Sequence, residues 1–170
     1  MPDQHIPASP GGFAVSALSL KETHLLRLTL DDAMPAIAGT PRYQFKATAN
    51  LLFTENQPEL LRVDMQIDVS ARPTASPTTS PNKATAKAKA QLVVAVVFHY
   101  EGLPKLHQNN ALPVELGWTA VSIAYSTVRG IFQARLAGTS FDKALLPILS
   151  PQKLWQPPAA TTAEEVSEPA

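Results

Sequence analysis

Residues 43–54, YQFKATANLLFT, and 61–70, LRVDMQIDVS, decide how this chain folds. In the first, Tyr43, Phe45, Ala47, Ala49, Leu51 and Phe53 fall on one face; Gln44, Lys46, Thr48, Asn50 and Thr54 fall on the other, with Leu52 the single exception. In the second, Leu61, Val63, Met65, Ile67 and Val69 alternate without a break against Arg62, Asp64, Gln66, Asp68 and Ser70. Successive side chains of a strand point to opposite faces. A period of two over this length therefore predicts two half-buried strands, each with one face in a core and one in water. The connector ENQPE (55–59) is short enough for an antiparallel hairpin.

Upstream, residues 1–12 read as a flexible leader, with neither the basic nor the apolar region of a signal peptide. Phe13 to Leu30 is strand-like, but its alternation changes phase near Lys21–Thr23. That predicts a bulge or bend inside one long strand, or two strands. Residues 31–42, DDAMPAIAGTPR, form a proline-containing loop carrying two apolar residues, Met34 and Ile37.

Downstream, 72–82, RPTASPTTSPN, is a Pro/Ser/Thr insertion that no central strand accommodates. In KATAKAKAQLVVAVVFHYEG (83–102), Lys83, Thr85, Lys87, Lys89 and Gln91 alternate with alanines before a continuously apolar run from Leu92. A long strand is predicted, solvated on one face at first and buried on both faces later. The period then changes. Val114, Trp118, Val121, Tyr125, Val128 and Phe132 are spaced by alternating fours and threes, the stripe of a long helix over 113–137. Gly138 suits the position just past its end, and Ser140 suits the cap of a short second helix from Phe141, limited by Pro147 and Pro151. Residues 156–170 form a disordered, acidic tail, leaving one domain over 13–155. Strands followed by a helix predict an α+β fold: an antiparallel four-stranded sheet, one long helix and a short C-terminal helix.

Composition limits the chemistry. The 170 residues include 14 basic and 14 acidic side chains and no cysteine. Charge balance gives no general attraction to nucleic acid or to an anionic membrane. The longest apolar run, Leu92–Phe98, is too short to span a bilayer. Without cysteine there are no disulfides, thiolate metal sites or thiol nucleophiles, which fits a reducing cytoplasm. Charged residues are only 16% of the chain, which points to surface covered in an assembly.

No standard catalytic or nucleotide-binding motif is present, and His5, His24, His99 and His107 lack metal-ligand spacing. His24 and His99 lie in predicted strands and could meet across a sheet, although exposed or satisfied strand histidines are commoner. An acyl-ligand enzyme would need Glu115 or Asp142 aimed at a pocket; each is more simply a helix-terminus charge. Lys83, Lys87 and Lys89 read as a solvated strand face. The helical stripe reads either as core packing or as a subunit interface. The apolar residues Met34, Ile37, Phe141, Leu145, Leu146, Leu149 and Trp155, in a loop and a proline-broken segment, suit adaptable binding of apolar partners or simply cover the sheet.

The C-terminal third resembles the SecB family of export chaperones and SecB-like chaperones. Ser126-Thr127-Val128-Arg129-Gly130-Ile131-Phe132, then Gly138-Thr139-Ser140-Phe141-Asp142-Lys143-Ala144-Leu145, is similar to the family's S-R-G-x-F, short spacer, N-F-D-A-L. His99-Tyr100-Glu101-Gly102-Leu103 looks like the family's strand end, and the order of strand, crossover loop and long hairpin is also similar. The resemblance spans about residues 13–150. It implies a dimer of dimers that binds unfolded polypeptides without ATP or any other cofactor. It places Met34, Ile37, Phe141, Leu145 and Leu149 along a client groove, and Val121, Tyr125 and Val128 between dimers. It also implies the translocation motor SecA as a partner, but SecB proteins are markedly acidic where this chain is neutral. The crossover lacks the family's aromatics, the 72–82 insertion is unusual, and Pro147 interrupts the last helix. A chaperone dedicated to one partner, such as an antitoxin, fits the same residues.

Overall fold

A computed structural model describes residues 15–32, 41–54, 56–72, 88–108 and 112–156. A single 3-10 turn, Val15–Ala17, leads into strand β1 (Ser19–Asp31). Strands β2 (Arg42–Phe53), β3 (Leu60–Arg72) and β4 (Ala88–His99) follow, then helices α1 (Leu103–Gln108), α2 (Val114–Leu136) and α3 (Pro151–Leu154). The sheet is antiparallel throughout, in the order β1-β4-β3-β2.

The alternation read from the sequence sets the register. Tyr43, Phe45, Ala47, Ala49, Leu51 and Phe53 lie opposite Ala71, Val69, Ile67, Met65, Val63 and Leu61. These in turn face Ala88, Ala90, Leu92, Val94, Val96 and Phe98 of β4. This face is covered. Leu61, Val63, Met65, Ile67, Val94 and Phe98 are fully buried. Helix α2 lies over β3 and β4, and α3 reaches β2. The helix side of the core is the stripe Leu116, Ala120, Val121, Ala124, Tyr125, Val128, Phe132 and Leu136.

The other face of the sheet is open and carries Arg62, Asp64, Gln66 and Asp68 of β3. Arg62 makes a bidentate ion pair with Asp64, and Asp68 accepts amide hydrogens from Gln66 and Gln91. The later half of β4 is less symmetric than its apolar run suggests. Ala95 is buried on the open face, but Val93 and Val97 are only half-buried there.

Strand β1 differs from the rest. Its 13 residues are all exposed, although Leu20, Leu25, Leu28 and Leu30 sit opposite or next to the apolar row of β4. The register slips between Leu20 and Glu22 and again between Leu25 and Arg27. The phase change near Lys21 is therefore a bulge inside one strand, and a second bulge falls at Leu26. The slips keep Leu20, Leu25, Leu28 and Leu30 on the covered side of the sheet, opposite Phe98, Val94, Leu92 and Ala90.

One predicted feature is corrected. No helix starts at Phe141: residues 139–143 are turns and 144–150 have no regular structure, so the short helix begins only at Pro151. Pro147 lacks the N–H a helix would need, and side chains from the sheet and α2 take the segment's carbonyls instead. Helix α1 is not foreseen in the sequence; its fully buried Leu103 fixes it to the core. Gly138 takes a positive φ of 76° just past α2, as its position predicts.

Candidate functional site

The segment that follows α2 is where apolar surface, exposure and backbone recognition meet. It begins with a tight knot. The Thr139 hydroxyl donates to the Leu136 carbonyl at 2.7 Å, and the Gly138 N–H donates to Asp142 at 3.2 Å. The Ser140 N–H donates to Asp32, just past the end of β1, at 3.2 Å. These bonds turn the chain back across the covered face and drive Phe141 into the core against Tyr43, ring centroids 6.3 Å apart.

From there residues 140–150 run as a strap between α2 and β2. Three of its carbonyls are held by side chains from the body of the protein. Tyr43 Oη donates to the Ser140 carbonyl at 2.9 Å, Gln133 Nε2 to Ala144 at 2.6 Å, and Tyr125 Oη to Pro147 at 2.7 Å. Both phenols are held above their ordinary pKa. For Tyr43 the causes are burial, then the nearby negative charge of Asp142; for Tyr125 burial dominates and Arg129 opposes it. Each therefore stays a neutral donor well above physiological pH.

The strap alternates irregularly between in and out. Ala144 and Leu146 are buried, whereas Leu145 is 71% and Ile148 87% exposed. Exposed apolar side chains on a segment with no secondary structure are suited to contact with another apolar chain. At the strap's far end Leu154 is buried and the Trp155 ring lies on Gly117 in the first turn of α2. A methyl group at Gly117 would overlap that ring, so close packing here needs glycine.

The predicted site residues separate into different roles. Phe141 is buried beneath the strap, Leu145 is on its outer side, and Leu149 is half-buried against the core. Met34 and Ile37 lie outside the described residues. Ile148, the most exposed large apolar residue described, went unnoticed in the sequence, where only its neighbourhood of leucines and prolines marked it. Val121, Tyr125 and Val128 are almost completely buried inside the protomer. That stripe packs on the chain's own sheet, and the opposite face of α2 carries Thr119, Ser122, Ile123, Ser126, Thr127 and Gly130. The hydroxyls of Thr119, Ser122 and Thr127 bond back to carbonyls one turn earlier, and no charged residue lies between Glu115 and Arg129. This outer face is uncharged, and three of its hydroxyls are turned back onto the helix.

The residues considered for enzymatic work do not converge. Glu115 and Asp142 are both exposed, and Asp142 is engaged by the Gly138 N–H. His24 bonds Glu22 and His99 bonds Glu59, at separate places along β1 and β4. Among the described residues no three His, Cys, Asp or Glu side chains gather as metal ligands, and no helix is long and apolar enough to cross a membrane.

By sequence, neither a family model nor a curated protein matches this chain. By structure, it is similar to a SecB-like chaperone of Mycobacterium tuberculosis solved in complex with a ChAD peptide from an antitoxin. The TM-score is 0.53 at 17% identity, over 79% of this chain and 92% of that one. The chain has a SecB-like fold. The four-stranded antiparallel sheet, the long helix and the short helices all belong to it. Within the SecB-like fold, the strap begins inside Gly138–Leu145 and continues past Pro147.

Proposed function

We propose that this chain is an ATP-independent holdase that binds unfolded or non-native polypeptides. The observation that carries the reading is the strap: Leu145 and Ile148 stand in solvent on an irregular segment of a SecB-like fold. An extended apolar client exchanges water for such surface at about 25 cal/mol per Å². Ordering the client offsets part of that gain. Several protomers holding one chain recover affinity through effective concentration, with no nucleotide or metal needed.

The holdase would act in the cytoplasm as a homo-oligomer, a dimer of dimers. Two surfaces support assembly: the uncharged outer face of α2 around Ile123, and the leucines of β1, which extend the apolar sheet face beyond the helix. Docking to SecA finds less support. The open sheet face mixes Arg27, Lys46, Arg62 and Lys89 with Glu22, Asp64 and Asp68 instead of forming an acidic surface. That neutrality, together with the antitoxin peptide bound by the similar structure, favours a second reading: a chaperone dedicated to one partner, such as an antitoxin.

The test is native mass, by light scattering or native mass spectrometry, alone and with a chemically unfolded, slow-folding protein. The expected result is a tetramer that captures the unfolded chain and ignores the same protein once folded. Capture of a single antitoxin-like partner, with no uptake of unrelated unfolded chains, would establish the dedicated role instead. A monomer that captures neither would overturn both.

A further inference from the structure

Two charges at one corner of the sheet have no counterpart. On the open face, Lys46 of β2 lies opposite Asp68 of β3, and Lys89 of β4 lies opposite Asp31 of β1. Arg42 instead lies opposite Arg72; both are exposed, and no described carboxylate pairs with either. Like charges directly opposite each other across two strands repel, so this corner favours an acidic group from elsewhere. The adjoining sequence enlarges the excess. The segments joined to the corner, 33–41 and 73–87, contain no Asp or Glu and add Lys83 and Lys87.

Five acidic residues lie outside the described ones: Asp3, Glu55, Glu164, Glu165 and Glu168. Asp3 is a single charge sixteen residues before β1, and Glu55 belongs to the connector at the other end of β2. The remaining three come as a group, with no Lys or Arg after Lys153 to offset them.

The place where the chain leaves the described fold lets that group reach the corner. Gln156 shares a cleft with Thr48–Leu52, so the exit is beside that part of β2. From Asn50 to Arg42 the strand advances eight residues, about 27 Å at about 3.4 Å each. From Gln156 to Glu164 is also eight residues, which span about 26–29 Å when extended. Pro157 and Pro158 favour an extended start. A segment running along β2 therefore brings Glu164 and Glu165 level with Arg42, and Glu168 has length to spare for Arg72 on the next strand.

We infer that residues 157–168 fold back along the outer side of β2 and seat Glu164, Glu165 and Glu168 on the Arg42–Arg72 corner. The contact is an electrostatic latch. It holds 157–163 beside β2, so a partner approaching that side must first displace them. Exposed ion pairs are individually weak and screened by salt, so the latch opens as ionic strength rises. The latch goes beyond the holdase reading and does not depend on it.

The chain has no cysteine, so two introduced thiols are the only ones present. The test compares two pairs in the full chain, Gln44→Cys with Val166→Cys and Leu52→Cys with Val166→Cys, by their rates of disulfide closure on non-reducing gels. Gln44 and Leu52 are both exposed on β2, and Gln44 shares the open face with Arg42 two residues away. Without the latch, ten residues of free chain reach about 18 Å from Gln156 and favour Leu52. With the latch, the Gln44 pair closes about fivefold faster than the Leu52 pair at low salt. Salt near 1 M, or Glu164→Gln, Glu165→Gln and Glu168→Gln together, should reverse that order. Arg42→Glu should slow the Gln44 pair, and adding Glu164→Lys and Glu165→Lys should restore it. A Leu52 pair that closes as fast or faster at low salt overturns the inference. So does closure found only between two copies, as a covalent dimer.

Discussion

Tyr125, in the middle of α2, donates its hydroxyl at 2.7 Å to the carbonyl of Pro147, 22 residues later. The bond crosses from the helix to a strap with no secondary structure of its own. A backbone carbonyl is common to every residue, so the contact fixes the position of the strap without reading its side chains. Tyr43 and Gln133 hold two other carbonyls in the same way.

Removing that hydroxyl isolates its contribution. Tyr125→Phe keeps the ring in the core and loses only the bond, so stability should fall by about 1 kcal/mol. Urea denaturation gives the magnitude. Amide exchange should quicken at 144–150 and stay unchanged in β3 and β4; a uniform change across the sheet would contradict the local role.

Alkaline pH should release the same contacts. Both phenols are raised above the ordinary value of 10.0, so the folded protein favours their protonated form. The stability they contribute is fully present below the ordinary phenol pKa and is lost as pH rises through the raised values. Phenolate absorbance followed alongside unfolding should show ionisation of the wild type above that of free tyrosine. Tyr43→Phe and Tyr125→Phe should each remove one late-titrating group.

Gly117→Ala tests the seat of Trp155. The added methyl overlaps the indole, so the ring must leave or α2 must shift, at a cost of about 1–3 kcal/mol. Trp155 emission should move toward that of a solvated indole. The double variant with Trp155→Ala should suffer less than the sum of the single changes, because the clash is then gone.

The two faces of α2 should separate in mutagenesis. Phe132→Ala empties a fully packed site and should cost about 3–5 kcal/mol. Ile123→Glu and Leu28→Glu lie on exposed surface and should leave protomer stability almost unchanged. Under the proposed assembly they lower the native mass. An unchanged mass in both would remove these surfaces from the interface.

Leu145→Ser and Ile148→Ser address client contact. Both side chains are exposed, so stability should hold while capture of unfolded protein weakens several-fold. Retention measured by co-elution with an unfolded chain checks this, with Val15→Ser as the exposed control away from the strap.

Much of the architecture was legible because strand alternation and the helical stripe are local patterns. The faces of Tyr43–Phe53 and Leu61–Val69 and the extent of α2 follow from spacing alone. What the stripe packs on does not. Val121, Tyr125 and Val128 serve equally well, as a sequence, to cover a sheet or to meet a second helix, and only the crossing of α2 over β3 and β4 assigns them to the core. The strap was legible as apolar and proline-broken, but its shape was not. Ser140 and Phe141 read as a helix start; tertiary hydrogen bonds from residues up to 97 positions away hold the segment extended instead. Helix α1 is a single short turn anchored by Leu103, too brief for any period to register.

The strap's attachment through its carbonyls also bears on how such a protein can change over time. Positions 140 and 147 can exchange their side chains and keep the bond to their carbonyls, because the gripped atoms do not depend on residue type, whereas Ala144 is also held by packing in the core. Constraint falls on the donors, Tyr43 of β2 and Tyr125 and Gln133 of α2. The path of the strap is therefore set from outside it, by the sheet and the long helix, more than by its own side chains.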